Sequence, residues 1–330
     1  MITVVLVHWN QPERCATTID AFATQDVPMR ITVVDNGSAR AARRALVETI
    51  ERSPHDVELV SLGVNRGFGP AANVGLRRFL AAPADEAGEW VAVAPHDALP
   101  QPGTIATLVA LAESVPGVGI ASADVGDGHV PHVDPYFGGM TRPAAQEVGL
   151  EPADYAHGTL LLARRACLDD IGVFDESYFA YCEEADLGLR AAARGWGVGL
   201  AHGARVVNPG MRSGSPVADY LMHRNTLHLV RRWFGRYHAF VRLLIGVSQL
   251  GRGLVQPSSR AWMFSAPGRF WGIVDFLRGR TGPPPDHLVR QGDDEVARLG
   301  DEHRPGTARI DPVTGEASAV PAIGGGVRLR

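Results

Sequence analysis

The stretch that decides the fold is "ITVVLVHWN" at residues 2–10, a run of β-branched and aliphatic residues that ends in polar and aromatic ones. A run without polar and apolar alternation is typical of a strand that is buried on both faces, as in a parallel sheet covered by helices. A helical pattern follows over residues 12–24, with Pro12 at its start, where the missing backbone amide costs little. The opening of the chain therefore predicts a strand followed by a helix.

Strands and helices continue to alternate over the next hundred residues. Predicted strands at "MRITVVD" (29–35), "VELVSL" (57–62) and "EWVAVAP" (89–95) alternate with predicted helices over residues 40–52, 70–81 and 104–114. This order predicts an α/β fold with a doubly wound, mostly parallel sheet. In such sheets ligands bind beyond the carboxyl ends of the strands. The polar residues at these ends are the first site candidates: His8, Trp9, Asn10, Asp35, Asn36, Gly37, Ser38, Asn65, Arg66, Gly67, His96 and Asp97.

The alternation stops after about residue 120. Residues 124–156 are rich in Gly, Pro, His and Asp, which predicts a long functional loop. The following stretch predicts a strand, a short helix, a longer helix that begins near "CEEADLGLR" (182–190), and a closing strand. Residues 218–280 are predicted to be mainly helical, and the chain from "TGPPPD" (281–286) onward is predicted to be disordered.

Three carboxylates, Glu183, Glu184 and Asp186, lie in the first turn of that longer helix. The helix macrodipole favours acidic residues at this position, so they fit an ordinary helix N-terminus. The same dipole keeps a carboxylate ionised, and an ionised carboxylate can act as a general base. These residues alone leave both interpretations open.

Two strand ends have compositions that suit phosphate or metal binding. Gly67 and Gly69 flank Phe68 before a helix, so the backbone there can approach a phosphate, although an ordinary turn has the same composition. The dinucleotide G-x-G-x-x-G fingerprint is absent, which argues against a nucleotide-dependent oxidoreductase. Asp97 can hold a divalent cation that neutralises a diphosphate, and it can equally cap the helix that begins near Gly103.

Five segments, in this order, resemble family 2 glycosyltransferases of the GT-A fold, in particular the bacterial rhamnosyltransferase-like branch. They are "VHWN" (7–10), "VDNGS" (34–38), "NRGFGPAANVGL" (65–76), "GTLLLARRA…IGVFDESYFAYCEEADLGLR" (158–190) and "HRNTLHLVRRWFG" (223–235). The resemblance runs from Ile2 to about Arg236. It implies a GT-A fold, here with a C-terminal helical extension, and an enzyme that transfers a sugar with inversion from a nucleoside-diphosphate donor to a hydroxyl.

The resemblance also implies roles for individual residues. Glu184 becomes the general base, with Asp186 and Glu183 as the other catalytic candidates. Asp97 becomes the residue that holds a divalent cation, Mg²⁺ or Mn²⁺. Trp9 and Asp35 would contact the nucleobase, and Arg224 the diphosphate. The full set of implied donor-binding residues is Trp9, Asn10, Asp35, Asn65, Gly67, Asn73, His96 and Arg224.

Two departures from the family pattern concern the cation. Pro95, His96 and Asp97 stand where the family has a D-x-D-like or N-P-D strand end, and Asn208 stands where many relatives have a histidine beside the metal. The predicted cation site therefore has fewer ligands than is usual in the family.

The sequence divides into four predicted regions. Residues 1–120 form the nucleotide-sugar-binding half of a GT-A domain, and residues 121–217 form the acceptor-binding and catalytic half. Residues 218–282 form a basic aromatic helical segment, and residues 283–330 form a disordered tail. Three widely spaced cysteines and an N-terminus without a basic region lead us to expect a cytoplasmic protein.

Charge is unevenly distributed along the chain. The net charge is −4, yet the stretch from Arg231 to Arg280 has nine arginines and one acid, Asp275. Arginine among aromatic residues suits binding to the surface of an anionic membrane. On this interpretation the protein is peripheral and lies on the inner face of the cell membrane. The same pattern also suits a helical pair whose aromatic residues pack on the core. No recognition motif accompanies the charge, so nucleic acid is not a predicted partner.

Two functions remain after these considerations. The first is a glycosyltransferase that uses dTDP-rhamnose or a UDP-sugar and modifies a glycan, a lipid-linked acceptor or a natural product, for example in cell-wall or polysaccharide biosynthesis. The second is a nucleotide-sugar-binding protein with weak or absent turnover. The intact acidic cluster favours the first, and the reduced cation motif favours the second.

Overall fold

Within residues 1–208, 216–261 and 263–290, which the structure describes, one sheet of nine strands has helices on both faces. The structure is a computed structural model. Its strands are β1 Ile2–His8, β2 Met29–Asp35, β3 Val57–Ser61, β4 Trp90–Pro95, β5 Leu99–Pro100, β6 Val118–Asp124, β7 His129–Asp134, β8 Gly138–Pro143, β9 Leu150–Pro152, β10 Leu161–Arg164 and β11 Gly197–Val207. Its α-helices are α1 Pro12–Ala23, α2 Arg40–Arg52, α3 Phe68–Ala81, α4 Ala84–Ala87, α5 Thr104–Ser114, α6 Arg165–Ile171, α7 Glu183–Ala193, α8 Pro216–Val255 and α9 Ala266–Leu277.

The strand order of the sheet is β3-β2-β1-β4-β10-β6-β11-β5, with β9 paired to β11. β1 to β4 are parallel to one another, and so are β6 and β11, whereas β10 runs antiparallel between β4 and β6. This architecture confirms the predicted mostly parallel α/β sheet. The predicted division at residues 120 and 121 falls inside β6, so the two halves share one sheet.

Two apolar layers cover the faces of the sheet. Along β1, Val4 and Leu6 lie in the layer with α1, α2 and α5, whereas Val5 and Val7 lie in the layer with α3, α6 and α7. The strand is therefore buried on both faces, as its unbroken apolar run predicts. Since β1 is central, this arrangement brings the ends of β1, β2 and β4 together at one edge of the sheet.

Residues 124–156 are not the long loop that their composition predicts. β7 and β8 form an antiparallel hairpin in which Val130 and Val133 are buried, and β9 pairs with β11. The strands are short and contain Pro and Gly, and these features hide the strand pattern in the sequence.

The C-terminal region is helical, as predicted. α8 is interrupted at Gly235, where φ is 90° and ψ is −179°, and α9 packs against it around Val230, Ile273 and Phe276. No helix within residues 1–208, 216–261 and 263–290 is both long and apolar enough to cross a bilayer.

The prediction of disorder from residue 283 onward is wrong where the chain is described. Residues 286–290 are helical, and Leu288 is fully buried in a cluster with Tyr220 and Leu221. A single apolar side chain that fills a space left by α8 is too little signal to be read from the sequence. The remainder of that predicted tail, residues 291–330, lies outside the described residues.

Candidate active site

The ends of β1 and β2 form a buried histidine–aspartate pair. His8 and Asp35 are directly opposite each other in the parallel register, and His8 Nδ1 lies 3.2 Å from Asp35 Oδ1. The amide of Gln11 donates to His8 Nε2 at 3.1 Å. Because Nε2 accepts that bond, the ring proton lies on Nδ1 and is directed at the carboxylate. His8 therefore fixes the position of Asp35.

Asp35 is held ionised with one oxygen to spare. Burial raises its pKa, but hydrogen bonds from His8 and Ser38 outweigh burial, so the pKa lies below the usual value for an aspartate. In the described part of the chain, its Oδ2 is buried and has no hydrogen-bond partner. A buried acceptor without a partner is costly, and a ligand N–H or O–H would satisfy it.

The two residues that follow β1 lie at the rim of this pair. Trp9 is 44% exposed, so its ring is open to a planar ligand. Asn10 has a φ of 57°. Its side-chain Oδ1 accepts from the backbone amide of Ala39 at 2.7 Å, and its backbone amide donates to Ser38 Oγ at 2.9 Å. Asn10 thus joins the two strand ends through these contacts.

Asn36 organises the glycine-rich loop beside the pair. Its Nδ2 donates to Asn65 Oδ1 at 3.0 Å and to the Gly67 carbonyl at 3.1 Å, and its Oδ1 accepts from the Arg66 amide at 2.9 Å. His8 and Asn36 stood among the strand-end candidates but not among the implied donor-binding residues. Their importance depends on contacts across neighbouring strands, which the sequence does not show.

Gly67 in this loop and Asn73 of α3 contact the segment that precedes α7. Gly67 has a φ of 98°, and a Cβ there would overlap the Phe179 carbonyl, which accepts from the Phe68 amide at 2.8 Å. Asn73 Oδ1 accepts from the Phe174 amide at 2.9 Å, and its Nδ2 donates to the Phe174 carbonyl at 2.9 Å. The amide of Asn73 is therefore occupied by protein contacts.

Asp97 and Asn208 meet at the end of β4. Asn208 Nδ2 donates to Asp97 Oδ1 at 3.1 Å, and Arg14 Nη1 lies 3.9 Å from Asp97 Oδ2. Among the described residues, no group of three or more His, Cys, Asp and Glu side chains is placed to hold a metal ion. A Mg²⁺ or Mn²⁺ ion held by one carboxylate and by the phosphates of a substrate needs no such group, so the donor set at Asp97 fits that arrangement.

His96 precedes Asp97 and is half-buried. Its Nδ1 lies 3.3 Å from the Val7 carbonyl, and its Nε2 is buried without a partner in the described part of the chain. Burial lowers the pKa of His96, so its ring is neutral at neutral pH. A neutral ring places no positive charge next to a cation at Asp97.

The catalytic candidates lie at the start of α7, after a strained turn. Tyr181 and Cys182 are consecutive residues other than glycine with φ values of 67° and 75°. Residues in this region are held there by surrounding contacts and are frequent at active sites. Asn225 of α8 supplies these contacts, because its Nδ2 donates to the Ala180 carbonyl at 2.8 Å and to the Tyr181 carbonyl at 3.0 Å. Sequence reasoning missed this role of Asn225.

Asp186 is an anchor for side chains around it. It is fully buried, and its carboxylate accepts from Arg190 Nε at 2.8 Å and from Trp233 Nε1 at 3.0 Å. Arg232 Nη1 lies 3.5 Å from the same oxygen that Trp233 contacts. Both oxygens of Asp186 are therefore occupied, which leaves it no role as a base.

Glu183 is buried next to the first turn of α3. It is 1% exposed, its Oε2 has no partner among the described residues, and its side chain packs against Gly69. Burial, and then the charge of Glu184, raise its pKa well above the usual value. Burial and the neighbouring carboxylate therefore favour the protonated form of Glu183.

Glu184 has the properties expected of a general base. It is half-buried, and a Cβ on Gly158 would overlap its Oε1, so the absence of a side chain at Gly158 makes room for the carboxylate. Burial raises the pKa of Glu184 to about 7. A base with a pKa near the working pH combines a useful ionised fraction with a strong affinity for the proton. Gly158 is a further residue that sequence reasoning did not assign.

The guanidinium of Arg224 is occupied by contacts with other protein groups. It is fully buried, its Nη1 donates to the Tyr220 hydroxyl at 2.9 Å, and its Nη2 donates to the Gly282 carbonyl at 2.6 Å. Its Nε donates to Asn225 Oδ1 at 3.0 Å. The implied contact of Arg224 with a diphosphate is wrong, because every nitrogen of the guanidinium already has a protein partner. Arg224 instead orients Asn225.

Comparison with known proteins places this arrangement in a family. The family described as "Glycosyltransferase like family 2" matches residues 1–236. The chain belongs to this family. The predicted family membership is thus confirmed, and the matched residues include the ends of β1 and β2, the loop around Gly67, α7 and Asn225.

Relatives with curated names share part of the chain. N-acetylglucosaminyl-diphospho-decaprenol L-rhamnosyltransferases from two Mycobacterium tuberculosis strains are each 30% identical to this family member over 200 residues. The match covers 51% of this chain and 62% of each relative, so the chain spans less than two thirds of their length.

Solved structures confirm the GT-A fold. A mannosyltransferase from Pyrobaculum calidifontis, solved with GDP-Man and Mn²⁺, has a TM-score of 0.55 at 18% identity and covers 84% of this chain and 86% of its own. GalNAc-T7, solved with UDP, GalNAc and Mn²⁺, has a TM-score of 0.58 at 14% identity and covers 92% of this chain and 58% of its own. At these identities the similarity establishes the fold alone.

Proposed function

We propose that this protein is an inverting glycosyltransferase that moves a sugar from a nucleoside diphosphate, dTDP-rhamnose or a UDP-sugar, to an acceptor hydroxyl. The observation that carries the proposal is the state of Glu184. Of the three carboxylates at the start of α7, it is neither ion-paired like Asp186 nor fully buried like Glu183. Glu184 also follows a segment that contacts the start of α3, because the Phe179 carbonyl accepts from the Phe68 amide.

The donor would bind across the ends of β1 and β2. The spare oxygen of Asp35 accepts an N–H of the base, and the exposed ring of Trp9 stacks on it. The loop that contains Asn65 and Gly67 lies beside the ribose and diphosphate, with the N-terminus of α3 directed at the phosphates. His8 and Asn36 hold these groups in place through the contacts described above.

Asp97 would hold the divalent cation together with the donor diphosphate. The cation supplies positive charge that stabilises the departing diphosphate. Asn208 orients the Asp97 carboxylate through its hydrogen bond. Mn²⁺ in two solved GT-A structures supports a divalent cation here.

Transfer then requires one proton to be removed and one bond to be exchanged. The Glu184 carboxylate takes the proton of the acceptor hydroxyl, and the oxygen attacks the anomeric carbon from the face opposite the diphosphate. The bond between the anomeric carbon and the phosphate oxygen breaks, and the diphosphate leaves with the electron pair. Glu184 releases its proton to water after the product departs.

A lipid-linked acceptor is supported by the names of the curated relatives, which act on N-acetylglucosaminyl-diphospho-decaprenol. We place the protein on the cytoplasmic face of the membrane, in cell-wall or polysaccharide biosynthesis. A glycan or a natural product is the other acceptor class that the same chemistry serves.

The pH dependence of transfer should report the ionisation of Glu184. Because burial raises its pKa to about 7 and the ionised form is the base, kcat/KM should increase as the pH rises through about 7 and level off above it. The measurement is kcat/KM for the donor between pH 5.5 and 9, with the acceptor at saturating concentration. A profile that is already flat at pH 5.5 would contradict the assignment.

Thermal unfolding tests donor and metal binding directly. The melting temperature is measured with UDP, dTDP and GDP, each with and without Mn²⁺ or Mg²⁺. A ligand at ~100 times its Kd stabilises the folded state by about 2.7 kcal/mol, which corresponds to a shift of roughly 5 °C. We expect such a shift with one nucleotide and a cation, and Asp97→Asn should remove the cation-dependent part.

The same preparation separates the proposed enzyme from a binding protein without turnover. A metal-dependent shift accompanied by slow hydrolysis of the matching nucleotide sugar supports the transferase. A shift without hydrolysis or transfer to any acceptor supports the alternative. If none of the nucleotides shifts the melting temperature, the proposed donor site is wrong.

A further inference from the structure

The second half of α8, residues 236–255, has an apolar outer face. Six of its apolar side chains are each more than half exposed, namely Tyr237, Phe240, Leu244, Val247, Leu254 and Val255. Their successive spacings of three, four, three, seven and one residues place them on one side of the helix. The break at Gly235 sets this half apart from the first half of α8, which holds the turn before α7.

The segment that carries this outer face is rich in exposed positive charge. Seven of the nine arginines between residues 231 and 280 are exposed. The one acid of that stretch, Asp275, is 1% exposed and accepts from the Tyr220 hydroxyl at 2.9 Å. Arg231, Arg236 and Arg252 are exposed and have no ion-pair partner in the described part of the chain.

The inner face of the same helix is already covered. Ala239 lies in an apolar cluster with Ile273 and Phe276 of α9, so α8 uses its opposite side to join the body of the protein. α9 adds two further exposed apolar side chains, Phe270 and Leu277, at a spacing of seven residues. The family match ends at residue 236, so the apolar outer face lies in a part of the chain beyond the segment matched by the family.

We propose that the outer face of residues 236–255 binds the surface of an anionic lipid bilayer, with the helix lying in the plane of the interface. Apolar side chains enter the boundary between headgroups and acyl chains, and the arginines contact the anionic headgroups. A symmetric contact between two copies would bring the same arginines together, and this repulsion favours lipid over a second copy.

The purpose of this contact rests on the proposed function. The first half of α8 supplies Asn225, which holds the turn before Glu184, and the second half supplies the membrane face. The two halves of α8, joined at Gly235, therefore carry the contact to the bilayer and the contact that positions the general base. A lipid-linked acceptor would meet the base at the membrane surface.

The test is co-sedimentation of the full chain with phosphatidylcholine vesicles that contain phosphatidylglycerol. Replacing Phe240, Leu244 and Val247 by Ser should reduce the partition coefficient by roughly tenfold or more, because the apolar area that enters the interface is lost. Replacing Arg231, Arg236 and Arg252 by Gln should also weaken binding and reduce its sensitivity to salt. The matched control is Val64→Ser with Val148→Ser, two exposed apolar residues elsewhere on the surface.

Several outcomes overturn the proposal. They are an absence of wild-type binding to these vesicles, and equal loss of binding in the control. A third is a concentration-dependent dimer that the serine variant dissociates, which would assign the face to a second copy. Nucleotide binding is followed in the same samples. Its failure with vesicle binding intact would reject the proposed function and leave the membrane face standing.

Discussion

Glu184→Gln should reduce the rate of sugar transfer by about 10³-fold, within the range of 10²–10⁴ that a general base contributes. The amide is nearly isosteric with the carboxylate but cannot take the proton of the acceptor hydroxyl. Donor binding should change little, because Asp35, the loop around Gly67 and Asp97 are untouched. Single-turnover transfer gives the rate, and titration with the nucleoside diphosphate gives the affinity.

Glu183→Gln is the matched control for this variant. Glu183 is adjacent in sequence, and burial raises the pKa of its carboxyl well above the usual value, so the uncharged amide suits the environment of this side chain. Transfer by Glu183→Gln should remain within a few-fold of the wild type. If Glu183→Gln loses transfer and Glu184→Gln retains it, the base is Glu183 and the present assignment is reversed.

Asp186→Ala should destabilise the protein by about 3 kcal/mol, the cost of leaving charged and polar partners of a buried carboxylate unpaired. The substitution removes the acceptor of Arg190 and of Trp233 Nε1 at a fully buried position. Urea denaturation followed by tryptophan fluorescence measures the change in the free energy of unfolding. Activity of the variant should be lost in proportion to the unfolded fraction.

Asp170→Ala provides a control with the same kinds of partner. Asp170 accepts from Trp196 Nε1 at 3.0 Å and lies 3.5 Å from Arg194 Nη1, but its side chain is 38% exposed. Exposed pairs contribute about 0–1 kcal/mol, so this variant should unfold almost like the wild type. An Asp186→Ala variant that keeps full stability but loses transfer would place Asp186 in the chemistry and contradict its role as an anchor.

The sequence contained enough to predict which polar strand ends lie together in the structure. Polar residues follow buried strands at Asp35 and Asp97, and the ends of parallel strands meet at one edge of the sheet. The bond from His8 to Asp35 was not predictable, because it requires the register of β1 against β2. The same limit applies to Asn36, whose partners lie about thirty residues away in the loop.

The catalytic side was less accessible to sequence reasoning. Glu183, Glu184 and Asp186 have the same chemistry in the sequence, and they differ only in burial and in their partners. Asn225 lies more than forty residues from the turn that it holds. The family resemblance implies a diphosphate contact for Arg224, but a match of sequence positions does not show that the guanidinium is directed at Tyr220 and Gly282.

The position of β10 has a consequence for how the protein is made. β10 joins β4 to β6 in the sheet, although residues 96–160 separate β4 from β10 in the chain. During synthesis on the ribosome, the first four strands therefore emerge before β4 has a partner on its outer side. An unpaired strand edge is a template for association with other chains. The edge of β4 is thus open to association with other chains until the ribosome has synthesised β10.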